Sequence, residues 1–269
     1  MIYVKGCLMR LSYLKPYQND RAMKTVLIPI DFQPGAGKVL HYIEKIFKDQ
    51  SIKAELLYVM QPSGKMTKER VQEAFLDFEH RYLEGTRLPY HFTVVEGSLL
   101  DQIQNKIDEL PASLVAIGLS GNSLVKSLLK LVRCPVLMIP GSTDAPAIRN
   151  IVYANDFQNI KVSTALEPLW NFAKSNHARI HIVHVTKEGT LPSDEEENSL
   201  EYYLDHLDHE YVSIKSDDFV AAINNYAAEK KIDLVTLLLR DHGNNALPSR
   251  SNFVEELLAR TQIPVLSLI

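Results

Sequence analysis

Short apolar runs rich in β-branched residues alternate along this chain with longer segments of helical period. The run from Val26 to Ile30 has no polar side chain, which is typical of a parallel strand covered on both faces. Residues 38–48 place apolar side chains at i, i+3, i+4, i+7 and i+8, and this spacing predicts an amphipathic helix. Its apolar face consists of Val39, Tyr42, Ile43, Ile46 and Phe47.

The same alternation continues to the end of the chain. It predicts further strands at 54–60, 91–96, 114–119, 135–139, 151–154, 179–185, 211–214, 234–239 and 264–268. It predicts further helices within 68–82, 99–110, 123–132, 162–175, 197–207, 219–230 and 253–260. Strands that alternate with helices favour right-handed crossovers and parallel sheets.

The second half of this pattern repeats the first. Asp31-Phe32-Gln33 recurs as Asp156-Phe157-Gln158, and other similar segments also recur at a separation of about 125 residues. We therefore predict an internal duplication with domains at 23–145 and 149–269, the second degenerate. Residues 1–22 are interpreted as an N-terminal extension outside the core, with the native product expected to begin at Met23.

The predicted fold class is α/β, with two tandem doubly wound parallel-sheet domains of Rossmann-like type. In such sheets, ligands bind beyond the carboxyl ends of the strands, where the strand order reverses. In the first domain these ends are the loops after Ile30, Met60 and Ile117, where functional residues are expected.

Composition narrows the class of protein. The chain has 269 residues, of which 46% are hydrophobic, and a formal net charge of −4, which together indicate a globular protein with no electrostatic attraction to nucleic acid or anionic lipid. The two cysteines, Cys7 and Cys134, give no disulfide framework and are consistent with a reducing cytoplasm. We expect a cytoplasmic protein without nucleic-acid or membrane partners, since no apolar run approaches the roughly 18 residues that cross a bilayer.

The segment Gly35-Ala36-Gly37-Lys38 resembles a phosphate-binding loop only superficially. The pattern G-x4-G-K-(S/T) requires a glycine at position 32 and Ser or Thr at position 39, whereas the sequence has Phe32 and Val39. Residues 33–37 are therefore predicted to form a turn that leads into the first helix.

Several segments resemble the universal stress protein family in its tandem two-domain form. In the first half they are IPIDF at 28–32, LYV at 57–59, LVAIGLSGNS at 114–123 and CPVL at 134–137. In the second half they are NDF at 155–157, VHV at 183–185 and IPVL at 263–266. The resemblance covers residues 23–269 and implies an adenine nucleotide alpha hydrolase-like fold.

The resemblance also implies a nucleotide site and its degeneration. ATP-binding members hold adenine and ribose near the residues that match Asp31 and Val59, and they wrap phosphates with a loop of pattern G-x2-G-x9-G-(S/T). Gly118, Gly121 and Ser123 match that loop, but the nine-residue spacer is absent and Asn122 replaces the third glycine. In the second half Leu238 and Asp241 replace the first two glycines, so we expect the first site to be impaired and the second lost.

The predicted function is a stress-response binding and signalling module rather than an enzyme, because no nucleophile with a base, carboxylate pair or metal-ligand pattern is evident. The halves are expected to form an internal pseudo-dimer through their last strands, as family members do. The resemblance leaves open whether ATP or another adenine nucleotide binds to the first domain. It also leaves open whether two copies of the whole chain form a homodimer. Alternatives are a weak nucleotide hydrolase using Asp31 and Ser123, or a partner-binding protein without a ligand.

Overall fold

The computed structural model describes residues 24–47, 50–62, 66–110, 112–119, 123–141, 143, 147–155, 163–187, 200, 204, 206–238 and 250–269. In the first half the elements are β1 Lys24–Pro29, α1 Pro34–Ile46, β2 Ile52–Met60, α2 Lys68–Tyr82, β3 Tyr90–Glu96, α3 Leu99–Glu109, β4 Ala112–Leu119, α4 Ser123–Leu131 and β5 Val136–Pro140. In the second half they are β6 Asn150–Ala154, a 3₁₀ turn Ser163–Leu166, α5 Glu167–Asn176, β7 Arg179–Thr186, β8 His209–Lys215, α6 Phe219–Lys230, β9 Leu234–Leu238, α7 Arg250–Arg260 and β10 Val265–Leu268.

The strands form one ten-stranded sheet with the order β3-β2-β1-β4-β5-β10-β9-β6-β7-β8. Within each half the strands are parallel and the order reverses once, between β1 and β4 in the first half and between β6 and β9 in the second. The predicted α/β class with doubly wound parallel sheets is confirmed. The two reversals mark the crevices where ligands bind in such folds.

The halves meet at the pair β5 and β10, which is the antiparallel pair of the sheet. Leu137 lies opposite Leu266, Met138 opposite Val265, and Val136 opposite Ser267. The edge strand of each half is therefore covered by the other half, which removes an exposed apolar edge from both.

Buried side chains form one apolar cluster on each face of the sheet, and both clusters extend across the two halves. On one face Phe47, at the end of α1, packs against Phe172 of α5 with ring centroids 5.0 Å apart. On the other face Lys126 of α4 pairs with Glu255 of α7 at 3.7 Å. The halves thus share side-chain packing as well as backbone hydrogen bonds.

The turn predicted at residues 33–37 is wrong, because α1 already begins at Pro34. Proline is favoured at the first helical position, where its missing N–H is not needed. Gly37 lies inside the helix against the aromatic ring of Tyr82 in α2, and a Cβ atom there would overlap that ring. This glycine allows close helix packing and does not form a turn.

The bounds of the other predicted helices and strands agree with those in the structure to within a few residues. The helix predicted at 162–175 is divided into the 3₁₀ turn and α5. The helix predicted at 197–207 falls mostly outside the described residues. Leu200 and Leu204, two residues of this range that the structure describes, are both buried. The N-terminal extension and residues 142 and 144–146, next to the predicted boundary between the domains, also lie outside the described residues.

Candidate functional site

The first candidate site residue, Asp31, directly follows β1 at the strand reversal. It is exposed, and its Oδ1 atom accepts a hydrogen bond of 3.0 Å from the backbone N–H of Gln33. This bond closes a short turn before α1, a common structural role for aspartate. Within the described residues no other partner is shown for Asp31, so its second oxygen is free to accept from a ligand.

Phe32 is a feature of this site that the sequence reasoning missed. Its φ angle is 60°, a left-handed conformation that a bulky side chain rarely adopts. Its ring stacks on Tyr58 at the end of β2 with centroids 4.6 Å apart, and it meets Phe78 edge-on at 6.0 Å. Such backbone strain costs about 1–3 kcal/mol and persists where packing fixes it, often at binding sites. The result is an aromatic wall beside Asp31.

Val59 and Gly118 lie near the carboxyl ends of β2 and β4, the two strands that flank β1. Val59 is partly buried and packs against the apolar cluster on the α3 side of the sheet. A Cβ atom on Gly118 would lie 3.1 Å from the Val39 side chain and 3.3 Å from the carbonyl oxygen of Gly35. Gly118 therefore lets the first turn of α1 approach β4 closely, a structural requirement that exists independently of any ligand.

Lys38 adds a cation to this edge. Its Nζ atom donates a hydrogen bond to the backbone carbonyl of Gly141, the residue after β5. Leu119 and Pro140 are register partners in β4 and β5, so Lys38 reaches the carboxyl ends of these strands. The sequence reasoning did not select Lys38, because the surrounding glycines fail the phosphate-loop pattern and only the position of α1 shows where the side chain points.

The loop from β4 to α4 is short. β4 ends at Leu119 and α4 begins at Ser123, which leaves three residues between them. The predicted site residues Gly121 and Asn122 lie outside the described residues, and of Ser123 only its place at the start of α4 is described. The structure thus brings together Asp31, Val59 and Gly118, while Gly121 and Asn122 belong to the segment between β4 and α4 and Ser123 begins α4.

The equivalent edge of the second half differs. Asn155 is buried directly after β6, and His184 donates a 3.0 Å hydrogen bond from Nδ1 to the Asn155 carbonyl oxygen. Leu238 stands at the end of β9, where β4 has Gly118, and packs against the apolar cluster on the α1 side. Asp156 and Asp241 lie outside the described residues. A leucine side chain therefore stands at the position where the first half has no side chain.

The described residues contain no reactive cysteine, no cluster of metal ligands and no helix that could span a membrane. Cys134 is buried, and burial raises the pKa of its thiol to about 12 while the sulfur donates to the Ala112 carbonyl oxygen at 3.3 Å. Such a thiol is protonated and unreactive at neutral pH. No group of three His, Cys, Asp or Glu side chains among the described residues is arranged to hold a metal ion. None of the described helices combines the length and apolarity needed to span a membrane.

Comparison with known proteins gives matches among solved structures. No protein-family model matches the chain, and no curated protein does. A universal stress protein from Archaeoglobus fulgidus matches with a TM-score of 0.69 and 17% identity over 90% of this chain and 95% of that one. A putative universal stress protein from Pseudomonas aeruginosa matches with a TM-score of 0.59 and 17% identity over 92% and 93%.

A third match is the cytoplasmic domain of a prokaryotic cation chloride cotransporter, with a TM-score of 0.55 and 10% identity over 92% of this chain and 96% of that one. These matches show that the chain has the fold seen in universal stress proteins over nearly its whole length. The same fold also occurs in a transporter domain, so function has to be inferred from the site.

Proposed function

We propose that this chain is a tandem universal stress protein whose halves act as an internal pseudo-dimer, and that it is a cytoplasmic binding and signalling module rather than an enzyme. The fold supports the family, and the β5–β10 pairing supports the pseudo-dimer. Around Leu137 and Leu266 each contact has a reciprocal counterpart, which is the property of an isologous two-fold interface.

The short loop between Leu119 and Ser123 is the observation that carries the ligand assignment. Three residues extend over at most about 11 Å, too little to surround three phosphate groups with backbone amides. We therefore assign the first half an adenine nucleoside with at most one phosphate. Asp31 would accept from ribose hydroxyl groups, the Phe32–Tyr58 wall would contact the base, and Lys38 would pair with a single phosphate.

Binding without hydrolysis is favoured by the available side chains. Phosphoryl transfer requires a metal ion that bridges the phosphates and residues that hold it. Asp31 is the acidic residue that the described structure places in the crevice, and no metal-ligating cluster accompanies it among the described residues. In the second half, the Leu238 side chain stands where the first half has Gly118, so we assign no nucleotide to that half.

Calorimetric titration of the full chain with adenosine, AMP, ADP and ATP tests the assignment. We expect one AMP per chain, bound at least about tenfold more tightly than ATP, which corresponds to about 1.4 kcal/mol. Lys38→Gln should weaken AMP to the level of adenosine, because only the phosphate contact is lost. Lys45→Gln is the matched control, since it removes the same charge from the last turn of the same helix.

Asp31→Asn provides a second test. Asparagine keeps an oxygen that can accept from Gln33 N–H, so the turn is preserved while the carboxylate is removed. Adenosine and AMP should weaken equally, whereas Lys38→Gln affects AMP alone. Tight ATP binding by backbone amides in either half would overturn the assignment, and no binding by any of the four compounds would favour a protein that binds a macromolecular partner without a nucleotide.

A further inference from the structure

A cavity of about 240 Å³ lies between the two halves, at the amino ends of the first-half strands and far from the carboxyl edge. Its walls come from both halves, and the space is partly open to solvent, with Ser113 and Glu167 exposed at its mouth and buried apolar side chains deeper inside. The main wall residues are Val26, Phe47, Ile52, Leu114 and Phe172. The inner wall of this space is therefore formed by core side chains of both halves, while its mouth faces solvent.

Polar contacts between the halves lie at the rim of the cavity. Lys24 of β1 pairs with Glu167 of α5 at 2.9 Å. Gln50 donates from Nε2 to the Asn171 carbonyl oxygen at 3.3 Å and to the Ser175 hydroxyl. The rim thus offers neutral hydrogen-bonding groups, and its two charged groups neutralise each other.

The two halves are related by an approximate two-fold axis, so the cavity can be compared with the equivalent region on the other side of that axis. Gln50 and Ser175 are separated by 125 positions and contact each other, and Phe47 and Phe172 have the same separation and also meet. Helices α1 and α5 are therefore equivalent across an approximate two-fold axis. By this separation the rim residues Glu167, Pro168 and Asn171 correspond to Tyr42, Ile43 and Ile46.

The corresponding region on the other side of the axis is filled. Tyr42, Ile43 and Ile46 are buried, and the Tyr42 side chain is 1% exposed. Burial, followed by the nearby Asp233 carboxylate, raises the pKa of Tyr42. Asp233, just before β9, is the equivalent in the second half of Ser113 in the first half. Ser113 lines the cavity, so Asp233 marks the corresponding region beside Tyr42. A phenol ring thus occupies the equivalent of the space that is open beside Glu167.

We propose that this cavity binds a small, neutral aromatic molecule with one hydrogen-bonding group, of the size of a phenol or an indole. An apolar cavity of about 150 Å³ is known to accept benzene, so the volume here admits one ring with a few further atoms. A charged ligand is disfavoured because its charge would lose water against the apolar inner wall, where the described lining supplies no unpaired counter-charge. The polar end of the ligand would lie at the rim, near Gln50 and Asn171.

Such a ligand contacts both halves at once, since Val26 belongs to one and Phe172 to the other. Its binding would stabilise their association, and it is independent of a nucleotide at the opposite ends of the strands. The cavity therefore constitutes a second ligand site in addition to the Asp31 crevice.

Titration of the full chain with p-cresol, followed by saturation-transfer NMR and calorimetry, tests this site. We expect saturable binding with a Kd below about 1 mM. Glu167→Tyr copies the filled arrangement at Tyr42 and should weaken p-cresol at least tenfold. Glu167→Gln is the matched control, because it removes the charge at nearly constant size, and should change the Kd less than threefold.

Two further measurements make the outcome decisive. 4-Methylbenzoate should bind at least tenfold more weakly than p-cresol, and saturating AMP should leave the p-cresol Kd unchanged. Asn171→Ile, which copies Ile46, provides a second filling variant if Glu167→Tyr fails to fold by circular dichroism. The proposal is overturned if the parent shows no saturable p-cresol binding, if a folded filling variant binds it equally well, or if the carboxylate binds as tightly.

Discussion

Tyr42 and Tyr226 place their hydroxyl groups in contrasting surroundings. Tyr42 is buried in α1, and its hydroxyl has no hydrogen-bond partner among the described residues. Tyr226 of α6 hydrogen-bonds to Nδ1 of the buried His181 at 2.9 Å. An unsatisfied buried hydroxyl costs about 1–3 kcal/mol, whereas a satisfied one contributes about 1 kcal/mol.

The same substitution should therefore have opposite effects at these two positions. Tyr42→Phe should raise the free energy of unfolding by about 1 kcal/mol, and Tyr226→Phe should lower it by about 1 kcal/mol. Urea unfolding monitored by circular dichroism measures both changes. A loss of stability in Tyr42→Phe would show that an ordered water or another group binds the Tyr42 hydroxyl.

A cross-strand Glu–His pair with one buried member recurs in both halves with its members exchanged: Glu55 and His181 are buried, whereas the His91 side chain is 70% exposed and the Glu210 side chain 41% exposed. Glu55 of β2 lies opposite His91 of β3 and accepts from its Nδ1 at 3.0 Å. In the equivalent strands, His181 of β7 lies opposite Glu210 of β8, with Nδ1 and Oε1 2.8 Å apart. Both halves therefore contain the same cross-strand pairing, but the acid is on β2 in the first half and on β8 in the second.

Exchange of the first pair tests this complementarity. Glu55→His should lower the free energy of unfolding by about 1–3 kcal/mol, since it also takes the carboxylate from Thr93 and Lys106, whereas His91→Glu at an exposed position should lower it by less than about 1 kcal/mol. The double variant should recover at least about 1 kcal/mol relative to the sum of the single changes. Urea unfolding at pH 7.5 completes the double-mutant cycle, and strict additivity would mean that the two side chains do not interact.

At the scale of elements, α1 shows why its two glycines differ. A Cβ atom on Gly37 would overlap the Tyr82 ring of α2, whereas nothing lies within 4 Å of a Cβ on Gly35. Alanine is favoured over glycine in a helix by about 1 kcal/mol wherever it fits.

We accordingly expect Gly35→Ala to raise the free energy of unfolding by about 0.5–1 kcal/mol. Gly37→Ala should lower it by about 1–3 kcal/mol, because the Tyr82 ring and α2 must move. Thermal and urea unfolding of the two variants side by side provide the measurement. Equal effects would show that α2 does not pack on Gly37 as described.

Element order could be predicted from the sequence because buried parallel strands and amphipathic helices leave distinct apolar patterns. The start of α1 could not, since glycines at 35 and 37 have the composition of a turn and only the position of Tyr82 explains the second one. In the candidate site, Asp31, Val59 and Gly118 were selected through the repeat and the family resemblance, and their role in binding stays a prediction. The left-handed backbone of Phe32 and the reach of Lys38 depend on packing and on sheet order, which local sequence does not encode.

At the scale of the whole molecule, the shared sheet and the Phe47–Phe172 contact make the halves energetically dependent on each other. Phe47→Ala should lower the free energy of unfolding by about 3–5 kcal/mol through the cavity it leaves. The fluorescence of Trp170, the single tryptophan, measures unfolding of the second half, whereas the Phe47→Ala substitution lies in the first half. Its fluorescence midpoint in urea should fall together with the circular dichroism midpoint.

A surface substitution provides the control for this prediction. Leu76 of α2 is 56% exposed, and Leu76→Ala should change stability by less than about 0.5 kcal/mol. Two separate transitions in the Phe47→Ala variant, with the Trp170 transition unshifted, would show that the halves unfold independently.

The antiparallel junction at β5 and β10 also fixes the direction in which each half faces. The Asp31 crevice opens at one end of the strands and the Asn155 end of the second half opens at the other, separated by at least a strand length of about 17 Å. No compact ligand can bridge them. Two macromolecules docked at these ends would approach from opposite sides, so the geometry suits a two-sided connector better than a clamp.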